Sequence, residues 1–479
     1  MGWSKQRRRE AFRLIIHTNA GKVRGVREGN LYIFRGIPYA EAPIAERRFL
    51  PPLPKLPWDG TYEANRFGPK SYQPVKDPNV ILKGQSEDCL SLNIWTSGVE
   101  QANRPVLVNI HGGGFVNGAG ADFAGITFAE RDNIVCVSLN YRLGALGFLY
   151  LGDLLGDAYQ TSGNNGILDI IAALKWVKEN IANFGGDPDR ITVSGASAGA
   201  KCASTLLTVP AAQRLFHQLI ARSGATQAIR DTQTATRVSL GLLDKLGIPH
   251  KEAHRLLTLP AQTIMEAQDN RLHTFGPVRD GITIPLEPVS EVLGKLTCKV
   301  PLLIGTNKDE AVSFISGSPG LEARNEEELQ ALFGNNSGLV LDAYRKAAFL
   351  KPDEEAWKDT LTDCFYRIAT VRLAEMAAQQ GQSVWLYRFE YAGTRGAVHG
   401  AESPYVNDDN TAEGMELAGR MHAAWAAFIR SGKPEAEGLP EWLKFNLSER
   451  SMMILNEECR LEQEADLSGN QFPMQVIRL

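Results

Sequence analysis

The 479-residue chain reads as an α/β protein, a mostly parallel central sheet with helices on both faces. Three observations predict this. Short apolar runs recur at 106–110, 134–139, 191–194, 218–222, 301–305, 384–389 and 452–455, and they alternate with helical patterns. The run Ile191-Thr192-Val193 passes through Gly195-Ala196-Ser197-Ala198-Gly199 into a helix-compatible Ala200–Leu207, giving strand, sharp turn and helix in succession. No Gly/Ser/Pro linker, charge block, internal repeat or low-complexity tract divides the chain, so a single domain over 1–479 is predicted despite a prior of roughly 150 residues per domain.

Taken in order, Pro105-Val106-Leu107-Val108-Asn109-Ile110 is a buried strand, and it runs straight into His111-Gly112-Gly113-Gly114-Phe115. Three successive glycines let a backbone turn its N–H groups toward a ligand. A phosphate loop would require Gly-Lys-Ser/Thr next, and Phe115-Val116-Asn117 does not supply it. Ile167, Ile170, Ile171, Leu174, Val177, Ile181 and Phe184 follow at spacings of three and four, the apolar stripe of a helix packed on the sheet. Small residues flanking Ser197 suit a strained turn that lifts a hydroxyl clear of the backbone, with the free N–H groups of a helix N-terminus behind it. That arrangement suits attack on a carbonyl carbon, and the glycine run would meet the negative oxygen that results. Two helical insertions, about 226–300 and 311–380, interrupt the alternation and are expected to cap the site and shape its pocket.

A serine hydroxyl needs a base, and the base needs a carboxylate to fix its tautomer. Asp309 and Glu310 stand side by side after the strand Pro301-Leu302-Leu303-Ile304-Gly305, and composition does not separate them. Eight histidines are present. His217 sits in the strand-like Phe216–Ile220, His250 and His254 in a polar segment, His422 on an amphipathic pattern, and His399 in the loop Gly396–Glu402.

The glycine run and the serine turn are joined by Phe34-Arg35-Gly36-Ile37-Pro38-Tyr39-Ala40, Ser86-Glu87-Asp88-Cys89-Leu90, Asn140-Tyr141-Arg142-Leu143-Gly144 and Asn183-Phe184-Gly185-Gly186-Asp187-Pro188. From about Asn19 to its C-terminal region the chain therefore resembles the type-B carboxylesterases of the α/β-hydrolase fold, a group that includes bacterial para-nitrobenzyl esterases, animal carboxylesterases and cholinesterases. The resemblance implies the order Ser, acid, His. His17 and His111 then fall before the nucleophile, and the loop after 384–389 makes His399 the base. It implies Glu310 as the acid, with Asp309 on the surface. Gly113, Gly114 and Ala198 become the oxyanion donors, and Phe115 and Phe275 become substrate-binding residues. His273 stays notable because it precedes Phe275-Gly276-Pro277-Val278-Arg279-Asp280, which resembles a pocket-lining stretch. The resemblance also suggests an Arg142–Asp169 pair.

Three departures stand out. Ala196 occupies a position where many members carry Glu, and Ile170 replaces a common Gln. The stretch from Tyr72 to Cys89 has no Trp to hold a quaternary ammonium, which argues against choline esters.

Composition limits partners and compartment. Net charge is −4, so Arg7-Arg8-Arg9 reads as a solvated tail rather than a nucleic-acid contact. No apolar signal segment and no run of ~20 apolar residues for a bilayer is seen. The six cysteines are scattered, and none precedes Cys89, so the bridge that secreted relatives make there is not available. No metal-ligand spacing is present. The expected molecule is a cytoplasmic, cofactor-independent serine esterase without metal. It would act on small to medium acyl or aryl esters, as a monomer or weak homo-oligomer, with no nucleic-acid or membrane partner. A non-catalytic scaffold on the same fold, and an amidase or thioesterase on the same residues, are the alternatives.

Overall fold

The apolar runs become strands because each is long enough to cross a sheet and apolar on both faces. The computed structural model describes residues 14–75, 84–100, 103–271, 274–295, 299–408 and 413–465. The arginine tail, His273 and Cys298 lie outside them, as does part of the Tyr72–Cys89 stretch, 76–83. The main sheet has eleven strands. In chain order they are β1 (Val26–Glu28), β2 (Leu31–Pro38), β3 (Ser91–Thr96), β4 (Arg104–Ile110), β5 (Val135–Leu139) and β6 (Gly186–Ala196). Then follow β7 (Gln218–Arg222), β8 (Leu302–Asn307), β9 (Val384–Phe389), β10 (Ser451–Leu455) and β11 (Arg460–Gln463). Their spatial order is β11-β10-β9-β8-β7-β6-β4-β5-β3-β2-β1. From β5 across to β10 every pairing is parallel. The flanks β1–β2–β3–β5 and β10–β11 pair antiparallel. This is the α/β-hydrolase fold, a mostly parallel sheet flanked by helices.

Alternate residues of the strands feed two cores. Val106, Val108, Ile110, Val135, Val137, Leu302, Ile304, Val384 and Leu386 pack on one face. Leu107, Cys136, Leu303, Trp385, Tyr387 and Phe389 pack on the other. Helix α1 (Asn165–Asn180) carries the apolar stripe; it tightens into a 3-10 turn, Ile181–Phe184, and stops at Gly185, where φ is 83°. All seven stripe residues are buried against the first core. Arg142 closes on Asp169 of α1 with two charge-assisted bonds of 2.8 and 2.7 Å, both groups sealed from solvent. Helix α2 (Ala198–Leu206) follows the serine turn, and α5 (Met415–Ser431) covers the second core with Met421, Trp425 and Phe428.

Among the described residues between β7 and β8 lie the α-helices Thr232–Lys245, Ala261–Ala267 and Val289–Gly294 and a 3-10 stretch, His250–Leu257, together with a two-residue parallel ladder of Arg230–Asp231 on Val278–Arg279. Between β8 and β9 the segment is helical, ending in α3 (Asp353–Thr362) and α4 (Ile368–Gln379). A π-turn, Asp363–Arg367, joins α3 to α4.

Candidate active site

The parallel order sets β4, β6, β8 and β9 close together, and the loops after their carboxyl ends meet there, where ligands bind in open α/β sheets. β4 runs into the glycine loop, β6 into Ser197, β8 into Glu310, and β9 leads to the loop bearing His399.

Ser197 takes φ 57° and ψ −124° at the turn between β6 and α2, a backbone conformation that side chains rarely adopt. The turn is held by Ser197 N–H donating to Arg222 O at 2.9 Å and by Lys201 N–H donating to Ser197 O at 3.0 Å. Only glycine fits beside it. A Cβ on Gly195 would lie 2.3 Å from the carbonyl carbon of Gly199, and a Cβ on Gly199 would lie 2.1 Å from Ile110 O. Ser197 is partly exposed and therefore reachable from solvent.

The glycine loop rests directly against this turn, since a Cβ on Gly112 would meet Ala196 O at 2.7 Å and Ser197 Cβ at 3.2 Å. Gly113 and Gly114 have φ of 110° and 62°, and no described backbone carbonyl engages either N–H. Ala198 N–H opens α2, where a helix leaves its first donors without intrahelical partners. His111 anchors the loop from below. It is buried, stacks on Tyr141 at 4.4 Å, and bonds Gly112 O through Nδ1 at 2.9 Å. Burial pushes its pKa down to about 4, so it stays neutral and serves structure.

The adjacent carboxylates divide their work. Glu310 is fully buried; its Oε2 lies 2.6 Å from His399 Nδ1, and its Oε1 accepts from Asn307 N–H at 2.8 Å. Asp309 contributes backbone, donating its N–H to Ala397 O at 2.9 Å. With Asn307 Nδ2 donating to Val398 O at 2.6 Å, this clamps the His399 loop onto the end of β8. His399 is 16% exposed, open on one side. Tyr366, carried by the π-turn, touches both remaining partners. Its ring stacks on His399 with centroids 4.8 Å apart, and its hydroxyl neighbours the Ser197 side chain. Among the described hydrogen bonds none runs between Ser197 and His399 themselves. Phe314 closes the imidazole's flank at 5.1 Å.

A family model described as "Carboxylesterase family" matches residues 13–472 of the chain. The chain belongs to the carboxylesterase family. It is a carboxylic-ester hydrolase. It is similar to the para-nitrobenzyl esterase of Bacillus subtilis (strain 168), 34% identical over 95% of this chain and 98% of that protein. It also resembles the phenmedipham hydrolase of Pseudarthrobacter oxydans, 31% identical over 93% of this chain and 96% of the relative. Among solved structures, the Geobacillus stearothermophilus carboxylesterase EST55 at pH 6.2 superposes with a TM-score of 0.85 at 36% identity, covering 94% of this chain and 98% of that one.

Within this carboxylesterase, the position of Ala196 acquires meaning. Ala196 pairs across the sheet with Arg222, whose guanidinium approaches the buried Glu402 at 3.4 Å and donates to Ser403 Oγ at 3.1 Å. Glu402 in turn accepts from Asn307 Nδ2 at 2.8 Å, so Arg222, Glu402, Asn307, Glu310 and His399 form one buried polar chain. Sequence reasoning missed Arg222, Asn307, Glu402, Phe314 and Tyr366. It also passed over Lys201, whose signal was present: a cation in the first turn of an otherwise small and apolar helix, where the dipole disfavours it.

The two proposed substrate-binding aromatics are both buried in this state. Phe115 packs behind the glycines on Phe148 at 5.2 Å, and its O accepts from Gly144 N–H at 2.7 Å. Phe275 borders a cavity of about 360 Å³ that also touches Arg230, Arg237, Gln268 and Leu332. Ser197 and His399 are not part of that cavity's wall. His217 stands just before β7 rather than inside it, its Nδ1 accepting from Ile191 N–H at 3.1 Å. His250 and His254 are exposed, and His422 is buried between Val406 O and Asp132. Among the described residues, no group of three potential ligands could hold a metal ion, and no helix is long and apolar enough to cross a membrane.

Proposed function

We propose that the chain hydrolyses carboxylic esters through an acyl-enzyme on Ser197, with His399 as general base and Glu310 as its orienting carboxylate. The observation that carries this reading is the 2.6 Å Glu310–His399 contact, with Tyr366 stacked on the imidazole and neighbouring Ser197 at its strained turn. Glu310 accepts from Nδ1–H, which leaves Nε2 as the acceptor that a serine hydroxyl requires. Ser197 Oγ attacks the ester carbonyl carbon while Nε2 takes its proton. The N–H groups of Gly113, Gly114 and Ala198 receive the negative oxygen. Protonated His399 then delivers its proton to the departing alcohol oxygen as the C–O bond breaks. Water, deprotonated by the same nitrogen, attacks the acyl-enzyme and releases the acid with Ser197 restored.

In the same reading the substrates are small to medium acyl or aryl esters. No nucleic acid, membrane or cofactor takes part. A monomer or weak homo-oligomer works in a reducing cytoplasm; the free thiols of Cys89, Cys136, Cys202, Cys364 and Cys459 support that compartment.

The test is paired. An organophosphate should label Ser197 stoichiometrically, and Ser197→Ala should abolish labelling and lower kcat on nitrophenyl esters by about a million-fold, as nucleophile removal does in other triad enzymes. Labelling elsewhere, or turnover within tenfold of wild type, overturns the assignment.

A further inference from the structure

Lys201 lies one helical turn after Ser197, on the same side of α2, and only 3% of it reaches solvent. Its Nζ stands 5.1 Å from the centre of the Tyr366 ring, the ring that stacks on His399 at 4.8 Å. Laid end to end, those two distances put the ammonium within about 10 Å of the imidazole centre. Glu310 lies in its field as well. Buried lysines are rare unless a specific partner or function keeps them. The ester-hydrolysis scheme above assigns Lys201 no step.

We propose that Lys201 is a positioning residue for this reaction, a buried cation that acts across Tyr366 and Glu310 on His399 and favours the neutral, proton-accepting imidazole. The proposal rests on the Ser197–His399–Glu310 reading. The Tyr366 ring presents its electron-rich face to the ammonium. Presentation of that ring depends on the π-turn Asp363–Arg367, a local distortion of the kind that recurs at functional sites. Burial holds the Lys201 pKa down to about 7, with Glu310 pulling the other way, so the ammonium is charged in the lower part of the range where imidazoles titrate. There it repels a proton arriving on His399.

The other charged and titratable groups around this centre are few. From α2 there is Cys202, from the π-turn Tyr366, and from β9 Tyr387; burial raises the pKa of each, so all three stay neutral. From the end of β4 comes neutral His111. From β7 and the His399 loop come Arg222 and Glu402, paired with each other. Glu310 is the carboxylate facing both Lys201 and His399. A full charge at about 10 Å in an effective dielectric near 20 moves a neighbour's titration by about one pH unit.

The experiment compares pH profiles of kcat/KM on para-nitrophenyl acetate, pH 5 to 9, for wild type, Lys201→Met and Lys201→Gln. Removal of the cation should move the acid limb upward by about half to one unit. KM and the rate at pH 9, where wild-type Lys201 is neutral, should stay within about threefold of wild type. Both variants replace a buried cation by an uncharged side chain of similar length, so the melting temperature should hold or rise; Lys201→Gln keeps a buried donor should Met disturb the packing. An acid limb within 0.2 units of wild type, or a fall in melting temperature with an unshifted limb, marks Lys201 as structural and overturns the proposal. If wild type hydrolyses no ester, the reading of Ser197 fails instead, a separate result.

Discussion

Replacing Glu310 by Gln changes one atom's hydrogen-bonding sense and leaves the packing alone. Asn307 N–H donates to Oε1 at 2.8 Å and is unable to accept, so the new amide must keep its carbonyl on that side. Its NH₂ then faces His399 Nδ1, which sits 2.6 Å from the present Oε2. An amide donor there requires Nδ1 to accept, and the ring proton moves to Nε2. The nitrogen that takes the Ser197 proton in the proposed mechanism is then already protonated. The imidazolium formed in the transition state also loses its counter-charge, in a place where Glu310 is sealed from water. The corresponding change in other triads costs about 10⁴ in kcat, equal to about 5.5 kcal/mol of transition-state stabilisation. The expected result for Glu310→Gln is a kcat on para-nitrophenyl acetate lowered by about 10³ to 10⁴, with KM near wild type and an unchanged melting curve. Organophosphate labelling of Ser197 should slow in parallel. A loss below tenfold in a folded variant would refute the tautomer argument and remove Glu310 from the mechanism.

The remaining predictions concern stability. Asp169→Asn removes the carboxylate that both charged bonds of Arg142 require and leaves a buried guanidinium uncompensated, so unfolding in urea should lose about 3 kcal/mol. An unaltered urea midpoint would show that water reaches the pair. His111 is held neutral in the fold, down to about 4, whereas the unfolded chain protonates it near 6.5. The unfolded state therefore binds the extra proton between those values, and stability falls as pH drops through that window. At pH 5 His111 alone should cost about 2 kcal/mol relative to pH 7, and His111→Phe should lose less stability over the same change. Equal acid sensitivity of the two proteins would contradict the burial effect.

Parallel strands announce themselves in a sequence because both faces are buried and apolar residues run together, as in Val135–Leu139 and the Leu302-Leu303-Ile304 opening of β8. The antiparallel flank does not. Ser91–Thr96 is buried throughout yet carries Ser, Asn and Thr. Its polar groups are satisfied by neighbours far away in sequence: Asn93 Nδ2 donates to Ser138 Oγ at 3.0 Å, and its Oδ1 accepts from Gly36 N–H at 2.9 Å. A pattern read along the chain has no access to that pairing. The same reason explains the late start assigned to β6. Asp187-Pro188-Asp189-Arg190 has loop composition, but the strand begins at Gly186, where Arg104 of β4 pairs with it.

The site divides along the same line. Ser197 and the glycines were legible because a strained turn and a donor loop demand small residues in fixed local order. Asp309 and Glu310 were inseparable as a dipeptide; what distinguishes them is the clamp between residue 309 and Ala397, which fixes the strand end and turns the next side chain inward. Tyr366 depends on a π-turn, and Arg222 on a buried glutamate 180 residues away, so neither leaves a local signature. Lys201 differs from both, because its oddity is visible in sequence and its meaning is not. A lysine whose pKa falls from 10.5 to about 7 on folding destabilises the native state by about 4 kcal/mol at pH 7, since the unfolded chain keeps the proton that the fold rejects. Stability is lowest below that pH and recovers as pH rises toward 10.5. Methionine would fill the same space without that cost. A side chain that weakens the fold at neutral pH, beside the proposed nucleophile, is what a trade of stability for chemistry looks like. The trade is measurable in one variant, because Lys201→Met should gain stability and shift its acid limb together, whereas a merely structural lysine would move stability alone.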